Sequence, residues 1–250
     1  MFHIRLVLVI LLISATQTRI SGQEEIPGRK QQVMEDRLEY IRIFHDSIKG
    51  TDRVLVNGEV YYPHQQGAVN HPFFGSESWH QGNVTVKGEV YPDCLVRYDL
   101  FTDRLVYLHI SDGAHMLSLN RSDVDGFMID RSEFLFLSGE HLPENLKMEE
   151  GYYERIIVGN ISLLVRWSKR RIRNDGFRGD EFRLNRELYL QSGTEFIELK
   201  NDKSLRMALE PYEKETGRFM REQNIHVKTD TPVQIARVLR YYEQIKNQEK

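Results

Sequence analysis

From residue 53 onward the chain repeats one pattern: a short run of strand-forming residues, a two-residue turn containing glycine, and a second such run. Val84-Thr85-Val86, Lys87-Gly88, Glu89-Val90-Tyr91 is the plainest case. The plan returns as Val54-Leu55-Val56, Asn57-Gly58, Glu59-Val60-Tyr61, as Ile156-Ile157-Val158, Gly159-Asn160, Ile161-Ser162-Leu163, and as Leu188-Tyr189-Leu190, Ser192-Gly193, Glu195-Phe196-Ile197. Tight hairpin turns need positive φ, which glycine reaches without a Cβ clash, so each unit predicts a pair of antiparallel neighbours. Between these units lie 94–100, 104–110, 116–120, 124–129 and 133–137, each bounded by Asp, Asn, Ser or Gly. No helical stretch separates them, which argues against the crossovers a parallel sheet requires. The expectation is an α+β chain with a single β-rich domain over 53–250, an antiparallel meander curled into a roll or barrel.

Both ends depart from period two. Residues 23–52 are polar and charged, with Met34, Leu38, Ile41, Phe44 or His45, and Ile48 at helical spacing, so an N-terminal helix is expected over 31–49, ended by Gly50. Helices are expected again over about 203–246. Pro211 suits a first helical turn, and Asp230 or Thr231 before Pro232 marks another helix start. In that last helix Ile235, Leu239, Tyr242 and Ile245 fall on one stripe, which must be buried against the sheet or across its open end.

Residues 1–22 read as a secretory signal peptide. Arg5 precedes eight consecutive apolar residues, Leu6 to Ile13, and a small polar stretch follows, with the cut placed after Gly22 and Thr16 as a second candidate. Eight is far short of the roughly twenty apolar residues of a membrane span. The chain is therefore expected to be exported, to the periplasm, the cell surface or the medium. Cleavage removes Arg5 and Arg19 and leaves 32 basic against 37 acidic residues, a net charge of −5, so no wholesale nucleic-acid binder is expected. Cys94 is the sole cysteine, which rules out an intramolecular disulfide and favours a bacterial export context. Its place in the alternation Cys94, Val96, Tyr98, Leu100 marks it as a small buried side chain.

Chemistry is sparse. There is no His-Glu-x-x-His, phosphate-cradling glycine loop or dinucleotide fingerprint, and no cofactor is implied. Gly75-Ser76-Glu77-Ser78-Trp79 is the nearest text to a nucleophile elbow and lacks its second glycine. His64, His71 and His80 would supply a zinc or copper site if they converged, although separations of seven and nine residues fit neither a helix face nor a familiar metal spacing. The blander reading has Pro72, Phe73 and Phe74 plug one end of the barrel with the histidines in solvent. Trp79 offers an apolar face for a sugar or lipid. Residues 166–186 carry eight basic side chains against three acidic ones. That segment reads as a solvated hairpin loop around Asn174-Asp175-Gly176, or alternatively as a docking face, led by Arg170, Arg171 and Arg173, for anionic lipid, polyanionic glycan or an acidic partner.

Asn57-Gly58-Glu59-Val60-Tyr61, His71-Pro72-Phe73-Phe74, Gly88-Glu89-Val90-Tyr91, Tyr98-Asp99-Leu100-Phe101, Gly151-Tyr152-Tyr153-Glu154 and Lys203-Ser204-Leu205 together resemble a group of secreted bacterial proteins without an assigned activity. The resemblance spans about 54–242 and implies an exported, envelope-associated protein, with no ligand or active site to carry over. The reading that follows is a non-enzymatic accessory or binding module whose partner is an envelope protein or glycan. The alternative is a hydrolase or metal-dependent enzyme using the His64 to His80 region.

Overall fold

The computed structural model describes residues 55, 58–64, 67–110, 113–173 and 179–248. All lie in one compact unit, His45–Lys250. The leader segment, the helix expected over 31–49 and the tip of the basic segment, 174–178, fall outside the described residues.

Among the described residues eleven strands form one sheet, and every strand pairs antiparallel with its neighbours. They are β1 (Glu59–Val60), β2 (His80–Val86), β3 (Glu89–Asp99), β4 (Arg104–His109), β5 (His115–Ser118), β6 (Val124–Ile129), β7 (Ser132–Leu137), β8 (Gly151–Val158), β9 (Ile161–Ile172), β10 (Glu181–Ser192) and β11 (Glu195–Glu198). Their spatial order is β1-β5-β4-β3-β2-β6-β7-β8-β9-β10-β11.

Three of the four expected hairpins are present. Val86 pairs with Glu89 around Lys87 and Gly88, both at positive φ, and Val158 pairs with Ile161 around Gly159 and Asn160. The last turn is displaced by one residue: Ser192 pairs with Glu195, so Gly193 and Thr194 form the loop. Val54, Val56 and Asn57 of the fourth expected hairpin lie outside the described residues; its second strand, Glu59 and Val60, joins β5, opposite Ser118 and Leu117. Gly58 is needed for that approach, because a Cβ there would meet the Ser118 carbonyl.

The sheet does not close into a barrel, since β1 and β11 end the order rather than pair with each other. Closure requires a partner for the last strand. Here β11 is four residues long, and the chain then leaves the sheet for helices. The sheet nevertheless curls. β5 and β6 stand four strand spacings apart, about 19 Å on a flat sheet, yet residues 119–123 span them while turning, with Asp123 N–H donating to the Asn120 carbonyl. The concave side of this curl holds Val84, Val96, Tyr98, Leu105, Phe127, Phe134 and Tyr152, and Cys94 is buried among them.

Three helices follow: α1 (Asp202–Met207), α2 (Glu213–Glu222) and α3 (Pro232–Gln248). Thr231 caps α3, its Oγ1 accepting from Gln234 N–H while Gln234 Oε1 accepts from Thr231 N–H, the reciprocal bonds of a capping box. The expected stripe packs inward: Ile235 and Leu239 are fully buried against Leu163, Val165, Leu188 and Leu190, with Tyr242 at the margin. Among the described residues no helix is long and apolar enough to cross a membrane.

One polar joint ties β9 to the turn between β3 and β4. Asp103, at φ 55°, accepts from both Arg166 Nη atoms at 2.7 and 2.9 Å, from Tyr98 Oη at 2.6 Å, and pairs with Arg121 at 2.8 Å. Arg166 also donates to the Tyr152 carbonyl. Burial works against charge on Arg166, but the Asp103 hydrogen bonds override it and hold the guanidinium above its ordinary range; burial and Asp103 push the Tyr98 phenol up. Gly151 lets the joint form, since a Cβ there would strike Asp103 and Arg166. Arg166 and Asp103 are 10% and 13% exposed, so breaking the pair should cost about 3–5 kcal/mol. Asp103→Asn is expected to lower the midpoint of urea unfolding accordingly; a loss under about 1 kcal/mol would make the joint incidental.

Candidate functional site

β10 is twelve residues long and β11 only four. Along an antiparallel strand, alternate residues turn their N–H and C=O to opposite edges. Leu188 turns its carbonyl outward, accepting from Leu199 N–H at 2.8 Å, so residues 186, 184, 182 and 180 face outward as well. At the far end that edge is covered. Phe182 N–H donates to Asn70 Oδ1 at 2.7 Å, and Asn70 Nδ2 donates to the Phe182 carbonyl at 2.9 Å, so the Asn70 amide stands in for a strand. Asp180 N–H donates to the Gly67 carbonyl, and Val69 N–H donates to the Asp180 carbonyl. Between Asn70 and Leu199, the outward backbone groups of Leu184 and Arg186 have no partner among the described residues.

A groove of about 630 Å³ opens at this interval, bordered by Trp167, Leu184, Arg186, Glu198, Lys200 and Lys228. Trp167 lies opposite Arg186 in the β9–β10 register. Its indole N–H donates to Glu154 Oε2 at 2.7 Å, and Glu154 also accepts from Ser132, so the ring is held by two strands. Leu184 is 52% exposed. Arg186 donates to the Val227 carbonyl at 3.0 Å and has no carboxylate in ion-pair range among the described residues. Burial lowers its pKa, with Asp230 a weaker opposing charge. Lys200, by contrast, is paired with Glu198 at 3.0 Å.

The far wall, around Val227 and Lys228, is tethered to the start of α1. Asp202 Oδ1 accepts from Val227 N–H at 2.7 Å, and Asp202 Oδ2 meets His226 Nδ1 at 2.9 Å.

The residues singled out from the sequence are dispersed. His64 stands edge-on to Tyr61 and Phe101, His71 stacks on Phe73, and His80 lies between Ser76 and Asp130. Desolvation and the nearby Lys169 lower the His71 pKa. Among the described residues no three His, Cys, Asp or Glu side chains are grouped to hold a metal ion. His71 and His80 are half-buried rather than free in solvent. Phe73 is buried, and Phe74 packs edge-on against Phe134 and Trp167. Trp79 carries the Arg97 guanidinium 4.1 Å above its ring, so that face is covered.

The basic segment divides. Arg166 is in the buried joint, Lys169 donates to the His71 and Phe73 carbonyls, and Arg171 bonds Asp180 and the His64 carbonyl. Arg170 and Arg173 are exposed, and Arg170 lies directly opposite Arg183. Much of the supposed loop is strand: β9 and β10 pair continuously from Ile161–Ser192 to Ile172–Glu181. The alternation Phe182, Leu184, Leu188, Leu190 carried that information, masked by the intervening charges.

Sequence inspection also missed a Ser–His–Asp arrangement. Ser76 Oγ lies 3.3 Å from His80 Nε2, and His80 Nδ1 lies 3.1 Å from Asp130 Oδ2, the order of groups that activates a serine. Ser76 Oγ also accepts from Ser78 N–H, and Asp130 is 67% exposed, so solvent weakens its hold on the imidazole.

No protein-family model, curated protein or solved structure matches the chain.

The His226–Asp202 contact raises the His226 pKa, the hydrogen bond contributing most. A raised imidazole pKa stabilises the fold below the ordinary value near 6.5, and that contribution disappears as pH rises through the folded-state value. Wild type should therefore melt above His226→Gln at pH 5.5, and the two should converge by about pH 9. A difference independent of pH would contradict the charge-assisted bond.

Proposed function

We propose that this is an exported, non-enzymatic binding module of the bacterial envelope or cell surface. The observation that carries the reading is the β10 groove, where a fixed tryptophan, an exposed leucine and an arginine with no carboxylate in ion-pair range among the described residues border one concavity. Such a mix of apolar surface with a few placed polar groups is how binding sites are built. The leader-like segment 1–22 supports export. The test is photocrosslinking in the producing cell from a benzophenone amino acid at Leu184. A discrete adduct on exported protein beginning at Gln23, lost in Arg186→Glu, is expected. Intracellular protein with an uncut N-terminus, or no adduct, would overturn the reading.

A second reading, a serine hydrolase, is favoured by Ser76, His80 and Asp130. A fluorophosphonate probe separates the two. Under the binding reading, wild type is labelled no more than Ser76→Ala; labelling of Ser76 that vanishes in His80→Ala would replace that reading with the second.

A further inference from the structure

The open stretch of β10 has the chemistry of an unfinished sheet. Its outward groups at Leu184 and Arg186 are bracketed by two different substitutes for a neighbouring strand, the Leu199 amide and the Asn70 side chain. Phe182 to Leu188 covers six residue steps, about 20 Å, room for roughly five residues in extended form. The groove's volume, about 630 Å³, suits an occupant of that size.

Side-chain chemistry narrows the occupant. Arg186 and Trp167 are directly opposite in register and so share a face. A residue added opposite Arg186 would place its Cβ about 5 Å from that of Arg186 on this same face. A carboxylate there supplies the ion-pair partner that Arg186 lacks among the described residues, where Asp230 is only a weaker opposing charge, and Lys228 borders the same groove. An apolar residue two positions along lies beside Leu184. We propose that this window binds an extended acidic segment of a partner protein by strand addition, with main-chain hydrogen bonds to Leu184 and Arg186 and a carboxylate on the Arg186 guanidinium. The proposal rests on the binding-module reading and names its partner chemistry.

An edge strand can also be left bare and protected from aggregation by charge. Arg183 and Arg186 flank Leu184 in a way that would serve that end. The two cases differ in whether an acidic strand is accepted, which a binding assay reads directly.

The probe is a fluorescein-tagged peptide, Glu-Thr-Glu-Thr-Val, whose central Glu and terminal Val share one face at the spacing of Arg186 and Leu184, assayed by anisotropy on the folded protein, with its Lys-for-Glu counterpart as control. The acidic peptide should bind at least about ten-fold tighter than the basic one, and Arg186→Glu should reverse the order. Leu184→Pro removes an N–H that no ladder bond uses, so it should weaken binding about ten-fold while leaving the β9 pairing intact. Should that variant fail to fold, N-methylation of the peptide's central amides makes the same test on wild-type protein. Equal binding of both peptides, or indifference to N-methylation, overturns strand addition. Loss of the crosslink from residue 184 would instead remove the underlying reading, so the two failures are distinct.

Discussion

Backbone N–H and C=O groups must find partners, and β10 is where this chain meets that requirement with too little strand. One edge of β10 is satisfied along its whole length by β9, and the other receives only the four residues of β11. The remainder is covered piecemeal by Leu199, by the Asn70 amide and by the 67–69 segment. What is left open coincides with the groove, so the binding site proposed here is a consequence of unequal strand lengths rather than of a dedicated pocket.

That edge is held in position by charge and by packing. The Arg166–Asp103 joint fastens the middle of β9 to the turn after β3, and Trp167, the next residue, bridges the two main apolar clusters. Lys169 and Arg171 continue the attachment to the 64–73 segment. Part of the positive charge that looked like a solvated surface in the sequence, Arg166, Lys169 and Arg171, is thus used in fastening β9 to the curled sheet. Arg186 faces the groove with no carboxylate in ion-pair range among the described residues, its guanidinium donating instead to the Val227 carbonyl.

Much of the fold was legible in the chain. Glycine turns at Gly88 and Gly159 announced their hairpins because local backbone preference decides such turns, and Ile235 and Leu239 announced the inward face of α3 because periodicity decides which face is buried. Other features were not. Glu59 and Val60 pair with a strand more than fifty residues away, a partner that only tertiary approach supplies. Asn70 acting as a false strand, and Ser76, His80 and Asp130 meeting across separate turns, depend on how distant segments lie together. No local pattern encodes such meetings. The first half of β10 was hidden because Arg183 and Arg186 interrupt its alternation.

Native-state hydrogen exchange followed by NMR, amide by amide along β10, tests the unfinished edge most directly. The Leu184 and Arg186 amides should exchange at least about a hundred-fold faster than those of Asn185 and Glu187, which face β9. Uniform protection across these four positions would mean that the edge is already paired, and that the groove is not open to a strand.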